Sequence, residues 1–174
     1  MLEPMATRAQ VQLVRHPRSV GAAAHGVEVV VQRRDETLQL EYRVHGNMER
    51  LDVPRAPLDH ERLWERTCAE LFVLGSGGAY VEWNFSPTGQ STRFGFSGYR
   101  DRVRVEATQV VPHLRRDPDV VELSVRGSFA ASPSRLGLSM VTRDVDGRYA
   151  YWALHHPGDE PDFHHPGGFT LELG

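Results

Sequence analysis

Glu36-Thr37-Leu38-Gln39-Leu40-Glu41-Tyr42-Arg43-Val44 alternates without a break. Leu38, Leu40, Tyr42 and Val44 fall on one side of an extended chain, and Thr37, Gln39, Glu41 and Arg43 on the other. Successive side chains of a strand point to opposite faces, so this period of two describes a half-buried antiparallel strand. The rhythm recurs at 27–32, 68–73, 80–85, 93–96, 102–107, 120–126, 138–144, 148–154 and 169–173. Turn sequences separate the runs: Arg34-Asp35, His45-Gly46-Asn47, Gly75-Ser76-Gly77-Gly78, Ser86-Pro87-Thr88-Gly89 and Asp146-Gly147. The last has the composition of a two-residue type I′ hairpin turn. Short strands at this spacing predict an all-β fold, an antiparallel sandwich or barrel. Only 58–66 reads as a helical turn, entered through Pro57 and Asp59, with Leu63 and Trp64 as its anchors to the core. Residues 115–118 read as a polar connection marked by Pro118, and 155–168 as a fourteen-residue loop.

The rest of the composition narrows the function. The 174 residues suit one domain, read here as a leader or first edge strand over 1–20 and a single sandwich over 21–174. Twenty cations against 23 acids leave a net charge of −3, so no broad basic field is available to nucleic acid. Every cation is arginine, which excludes a Schiff-base lysine or a P-loop lysine. The single cysteine, Cys68, excludes an internal disulfide and a Cys-rich zinc site. No stretch is apolar enough for a membrane helix, and 1–18 lacks the pattern of a secretory signal. The expected address is the cytoplasm, with no membrane partner.

The run from Cys68 to Phe85 carries the functional expectation. Ala69, Leu71 and Val73 share one side of the first strand, and Val81, Trp83 and Phe85 one side of the second. All six positions are odd, so cross-strand partners sum to an even number and the glycine-rich loop between them has an odd length. The other side gathers Cys68, Glu70 and Phe72 with Tyr80, Glu82 and Asn84. Two carboxyls this close need an arginine, a shared proton, a ligand or water. One reading is a binding surface for a polyhydroxylated or cationic ligand, with Glu70, Glu82 and Asn84 orienting it and Phe72 and Tyr80 covering it. The other is a solvated outer face with Arg93 as the counter-charge.

Four of the nine histidines and three acids fall within 155–168. His155, His156, Asp162, His164 and His165 are metal-ligand types, although their spacing matches no short metal motif. The loop could equally hydrogen-bond its histidines to backbone. His164 could also ligate a haem, with Met48 or Met140 as the second axial ligand. Support for catalysis is thinner. There is no Gly-x-Ser-x-Gly, two acids on a strand pair do not establish glycoside cleavage, and Cys68 lacks an electropositive setting.

Leu63-Trp64-Glu65-Arg66-Thr67-Cys68-Ala69-Glu70-Leu71-Phe72, followed by 80–90 (Tyr-Val-Glu-Trp-Asn-Phe-Ser-Pro-Thr-Gly-Gln), resembles the central motif of bacterial DOMON-like domain proteins. The closing stretch Trp152-Ala153-Leu154-His155-His156-Pro157, then Pro161-Asp162-Phe163-His164-His165-Pro166 and Phe169, resembles the end of the same family. The resemblance runs from about Val27 onward. It implies a jelly-roll-like sandwich similar to family 9 carbohydrate-binding modules and haem-binding DOMON domains, whose members bind sugars or haem. Glu70, Glu82 and Asn84 match the first motif, and His164 and His165 the second. Two positions depart: Ser91 stands where the family often has tryptophan, and Glu160 where it often has lysine. The expectation is therefore a small-molecule binding domain for a carbohydrate or similar polar ligand, with Glu70, Phe72, Tyr80, Glu82, Asn84 and His164 at the site. A haem-binding domain and a metal-dependent enzyme using the histidine loop are the alternatives.

Overall fold

A computed structural model of the chain describes residues 6–129 and 134–173. Its strands pair into two antiparallel sheets packed face to face. The first sheet runs in the order β1 (Thr7–Gln12), β3 (Ala24–Arg34), β4 (Thr37–Gly46), β10 (Val120–Gly127), β9 (His113–Arg116). The second runs β2 (Val14–Arg15), β12 (Tyr149–Ala153), β11 (Ser134–Arg143), β5 (Cys68–Leu74), β6 (Tyr80–Phe85), β7 (Ser91–Gly98), β8 (Asp101–Val103). β13 (Leu171–Leu173) pairs with the start of β11.

The core forms where the alternation aims its apolar halves. Val27, Val29 and Val31 of β3, Leu38, Leu40, Tyr42 and Val44 of β4, and Val121, Leu123 and Val125 of β10 face inward from the first sheet. Ala69, Leu71 and Val73 of β5, Trp83 and Phe85 of β6, Leu136, Leu138 and Met140 of β11, and Trp152 of β12 meet them from the second. Each fully buried large aliphatic contributes about 1.5–3 kcal/mol. Tyr42 reaches across the layer and donates from its hydroxyl to Glu70 O at 2.7 Å, locking one sheet to the other.

The central hairpin has the expected parity. Ala69 faces Phe85, Leu71 faces Trp83 and Leu74 faces Tyr80, leaving a five-residue connection at 75–79. Gly77 (φ 66°) and Gly78 (φ 83°) supply the left-handed backbone that closes it.

Several local expectations change. The Asp146-Gly147 turn is not type I′: only Gly147 has positive φ (89°), and Gly147 N donates to Asp144 O at 2.9 Å. This is the longer hairpin with a glycine bulge. Residues 115–118 are not simply a connection, because Leu114, Arg115 and Arg116 pair with β10 as part of edge strand β9. The strand expected over 102–107 stops at Val103. Thr7–Gln12, within the segment read as a leader, pairs along β3, and Val14–Arg15 pairs with β12; residues 1–5 lie outside the described residues. Between 58 and 66 the helical element is a 3₁₀ turn, His60–Glu65, whose cap Asp59 accepts from Glu61 N at 3.0 Å. Among the described residues, no helix is long and apolar enough to cross a membrane.

Candidate functional site

Both sheets turn polar positions outward, yet the two outer faces differ. On the first sheet Arg43 bonds Glu122 and Glu41 at 2.8 Å each, with Glu28 3.6 Å away, a half-buried lattice of opposite charges. On the second sheet most outward side chains of β5, β6 and β7 are buried, among them Glu70, Phe72, Tyr80, Glu82, Asn84, Phe94 and Phe96, with Leu74 and Thr92 half-buried at the ends. Something covers this face.

The cover follows from strand pairing. β12 lies along Ser139–Arg143 and β13 along Ser134–Leu136, on the same edge of β11. The chain between them must leave that edge and return to it, and it does so over the outer face. Phe169 stacks on Phe72 (5.4 Å, 21°), and His164 sits edge-on against Phe72, Tyr80 and Phe96, with centroids 5.0–5.8 Å away. Asp162 accepts from Arg100 at 2.8 Å, from Tyr99 and from His164 N at 3.1 Å, tying the loop to the turn after β7.

His164 is held neutral. Burial lowers its pKa to about 4, assisted by the nearby Arg100 charge. Tyr80 Oη accepts from Arg100 N at 3.1 Å, so its own proton is directed to His164 Nδ1 at 2.8 Å. The other ring nitrogen, Nε2, lies 3.4 Å from Glu82 Oε2.

Glu70 and Glu82 emerge side by side, as the strand phase requires. Glu70 faces Asn84 and Glu82 faces Phe72, which makes the two acids diagonal neighbours. Glu70 is 4% exposed and Glu82 5%. Asn84 Nδ2 donates to Glu82 Oε1 at 2.7 Å, and Cys68 Sγ lies 3.6 Å from Asn84 Oδ1, fixing the amide's orientation. Among the described residues, the Glu70 carboxyl has only the Ser139 hydroxyl, at 3.5 Å. The buried Asp144 and the half-buried Asp52 are conventionally satisfied. Asp52 bonds Arg66 and Arg143, and Asp144 accepts from Ala22 N and Ala23 N. Among the described residues, no arginine stands within ion-pair distance of Glu70 or Glu82.

Burial therefore pushes both acids upward. Glu82 rises to about 7, restrained by Asn84 and by the positive field of Arg102 and Arg100. Glu70 goes well above the carboxylate range, through burial and then through the Glu82 charge. With no arginine at hand, burial favours a proton held on the pair.

The pair lies on the floor of a groove of about 620 Å³. Six adjacent strands contribute in order: Tyr151, Val141, Glu70, Glu82, Phe94 and Arg102. Tyr149 and Tyr151 stack at 6.1 Å along one wall, and Phe163 meets Tyr151 edge-on at 6.1 Å. Arg102 covers the Phe94 ring at 4.4 Å on the opposite wall, and Trp64 stands at the end with 49% exposure. Flat apolar walls around a polar, water-poor floor bind a ligand that alternates apolar ring faces with hydroxyls.

The residues expected at the site divide in two. Glu70, Glu82 and His164 line the groove. Phe72, Tyr80 and Asn84 lie beneath it, fully or nearly buried, against the lining residues. Arg93 is not the counter-charge: it pairs with Trp83 on the opposite side of the sheet and stacks 5.6 Å from that indole. Trp64 is not a core anchor; Leu63 alone is buried there. Ser91 faces away from the groove and accepts from Val110 N at 3.0 Å, so the missing tryptophan takes nothing from this wall. Glu160 forms an exposed pair with Arg18.

The metal and haem expectations find no matching geometry. His156 Nε2 bonds Val14 O at 2.7 Å, His165 Nδ1 accepts from Gly167 N at 3.0 Å, and Asp162 is taken up by Arg100. His155 is exposed. Among the described residues no three His, Cys, Asp or Glu side chains converge on one point. Met48 and Met140 belong to the inter-sheet core, with the second sheet between them and His164, so neither can share a haem with it. His164 Nδ1 is already engaged by Tyr80, and its Nε2 faces Glu82 at 3.4 Å.

No protein-family model matches the chain, and no curated protein matches it. Among solved structures it is similar to a proposed carbohydrate-binding protein from Bacteroides uniformis, with a TM-score of 0.55 and 16% identity. The similarity covers 91% of this chain and 84% of that one. At that identity the likeness is one of fold, and it places the chain among antiparallel β-sandwiches.

Proposed function

We propose that the chain is a carbohydrate-binding domain whose ligand lies in the groove on the outer face of the second sheet. One observation carries the reading: a polar outer face that water could have covered is instead enclosed, with two carboxyls on its floor and aromatic rings on its walls. Glu70 in its acid form donates to a sugar hydroxyl, and Glu82 in its ionised form accepts from one. Trp64 and Tyr151 offer ring faces to the apolar side of a pyranose. The fold shared with a proposed carbohydrate-binding protein agrees with this reading, as does the resemblance to DOMON-like domains.

The test is a thermal-shift titration against a panel of defined oligosaccharides, run on the natural chain and on Trp64→Ala. A ligand that binds only the folded chain raises its melting point by mass action. At least one saccharide is expected to raise it. Trp64→Ala, with an unchanged baseline melting point because the indole is half exposed, should lose about tenfold or more in affinity. No response to any saccharide, or an equal response in the variant, would count against the proposal.

A further inference from the structure

Binding alone leaves one feature of the floor unused. A site that only holds hydroxyls is served by amides and exposed acids, as these cost less to bury. Here two carboxyls are buried on adjacent strands at one point of a groove, and their surroundings are unlike. Glu82 is held by Asn84, has His164 3.4 Å away and lies in the field of two arginines, while among the described residues the Glu70 carboxyl meets only a serine hydroxyl. Resting on the carbohydrate reading above, we infer that Glu70 and Glu82 are an acid–nucleophile pair that hydrolyses a glycosidic bond of the saccharide in the groove.

The chemistry balances with water as the one co-reactant. A Glu82 oxygen bonds to the anomeric carbon as the bond from that carbon to the leaving oxygen breaks, and the Glu70 proton passes to the leaving oxygen. Water then bonds to the same carbon, its proton passes to Glu70, and the Glu82 ester bond breaks. One glycosidic bond and one water are consumed, and both side chains return to their starting forms. Diagonal neighbours on paired strands lie about 7 Å or less apart at Cβ. Both carboxyls line the same groove from adjacent strands, so both can face one glycosidic bond laid across its floor. Separated proton affinities in one site are also what divides an acid from a nucleophile.

The experiment starts from saccharides identified by an oligosaccharide array with the full chain. Each saccharide that binds is incubated with stoichiometric protein in H₂¹⁸O, and the products are weighed by mass spectrometry. Cleavage with one ¹⁸O in the new reducing end is expected. Glu70→Gln and Glu82→Gln, compared at protein concentrations that saturate each variant with saccharide, are expected to slow cleavage of the bound saccharide about a hundredfold or more. A 2-deoxy-2-fluoro glycoside with a dinitrophenolate leaving group, made from the sugar that binds, is expected to leave its glycosyl mass on a peptide containing Glu82. Saccharides that bind and return intact would overturn the hydrolase while leaving the binding domain standing. The same follows if Glu82→Gln, shown folded by its melting curve, cleaves as fast as the natural chain. If no saccharide binds, both readings fall together.

Discussion

Glu70 and Glu82 were legible as neighbours because alternation is a strong constraint. Once 69, 71 and 73 are buried, 70 has to emerge on the far side. Their burial was not legible, since a sequence does not say which outer face will be covered. Trp64 was misjudged for a related reason. In a 3₁₀ turn of six residues, Leu63 and Trp64 are adjacent and only one can point inward. The acid pair makes a prediction at this scale. Both carboxyls titrate higher in the folded chain than in the unfolded one, so the native state holds more protons from about pH 4.3 up to about 7 for Glu82, and further for Glu70. Their contribution to stability falls as pH rises through that range. His164, lowered to about 4, runs the other way, its contribution being lost as pH falls from about 6.5. The two trends partly cancel in the natural chain, and substitution separates them. Glu70→Gln should be more stable than the natural chain at pH 8 by about 1–3 kcal/mol, with the gain vanishing near pH 4. Chemical denaturation at the two pH values checks this, and an equal difference at both would contradict it.

At the scale of elements, hairpin parity was readable because it follows from counting, and the five residues at 75–79 agree with it. The path of the 155–168 loop was not readable. It depends on β13 returning to the same edge of β11 as β12, a pairing between distant residues that local patterning does not encode. Gly137 marks where the two meet. A Cβ there would lie 2.5 Å from Phe169 Cδ1 and 3.2 Å from Phe72 Cβ, so the ring that seats the loop needs a bare backbone beneath it. Gly137→Ala should therefore cost about 1–3 kcal/mol and weaken saccharide binding in parallel. Melting curves and binding isotherms measured together test the link, since a loss of stability at unchanged affinity would uncouple loop from groove.

Over the whole molecule, a sandwich with one solvated and one enclosed outer face has a direction. The first sheet and the inter-sheet core are scaffold, and the second sheet with its returning loop is the working side. Asp162 is the tie between them, through Arg100 and Tyr99. Asp162→Asn removes its charge, and amide exchange should then quicken over 155–168 while β3, β4 and β10 keep their protection; faster exchange throughout would mean the tie supports the fold as a whole. The enclosed face itself is best tested by NMR of the isotopically labelled chain, titrated with a saccharide that raises its melting point. The account predicts saturating shifts at Glu70, Glu82, Trp64 and Tyr151, with Glu28, Arg43 and Glu122 of the opposite face unmoved. Shifts centred on that opposite face, with the carboxyls at 70 and 82 silent, would contradict it.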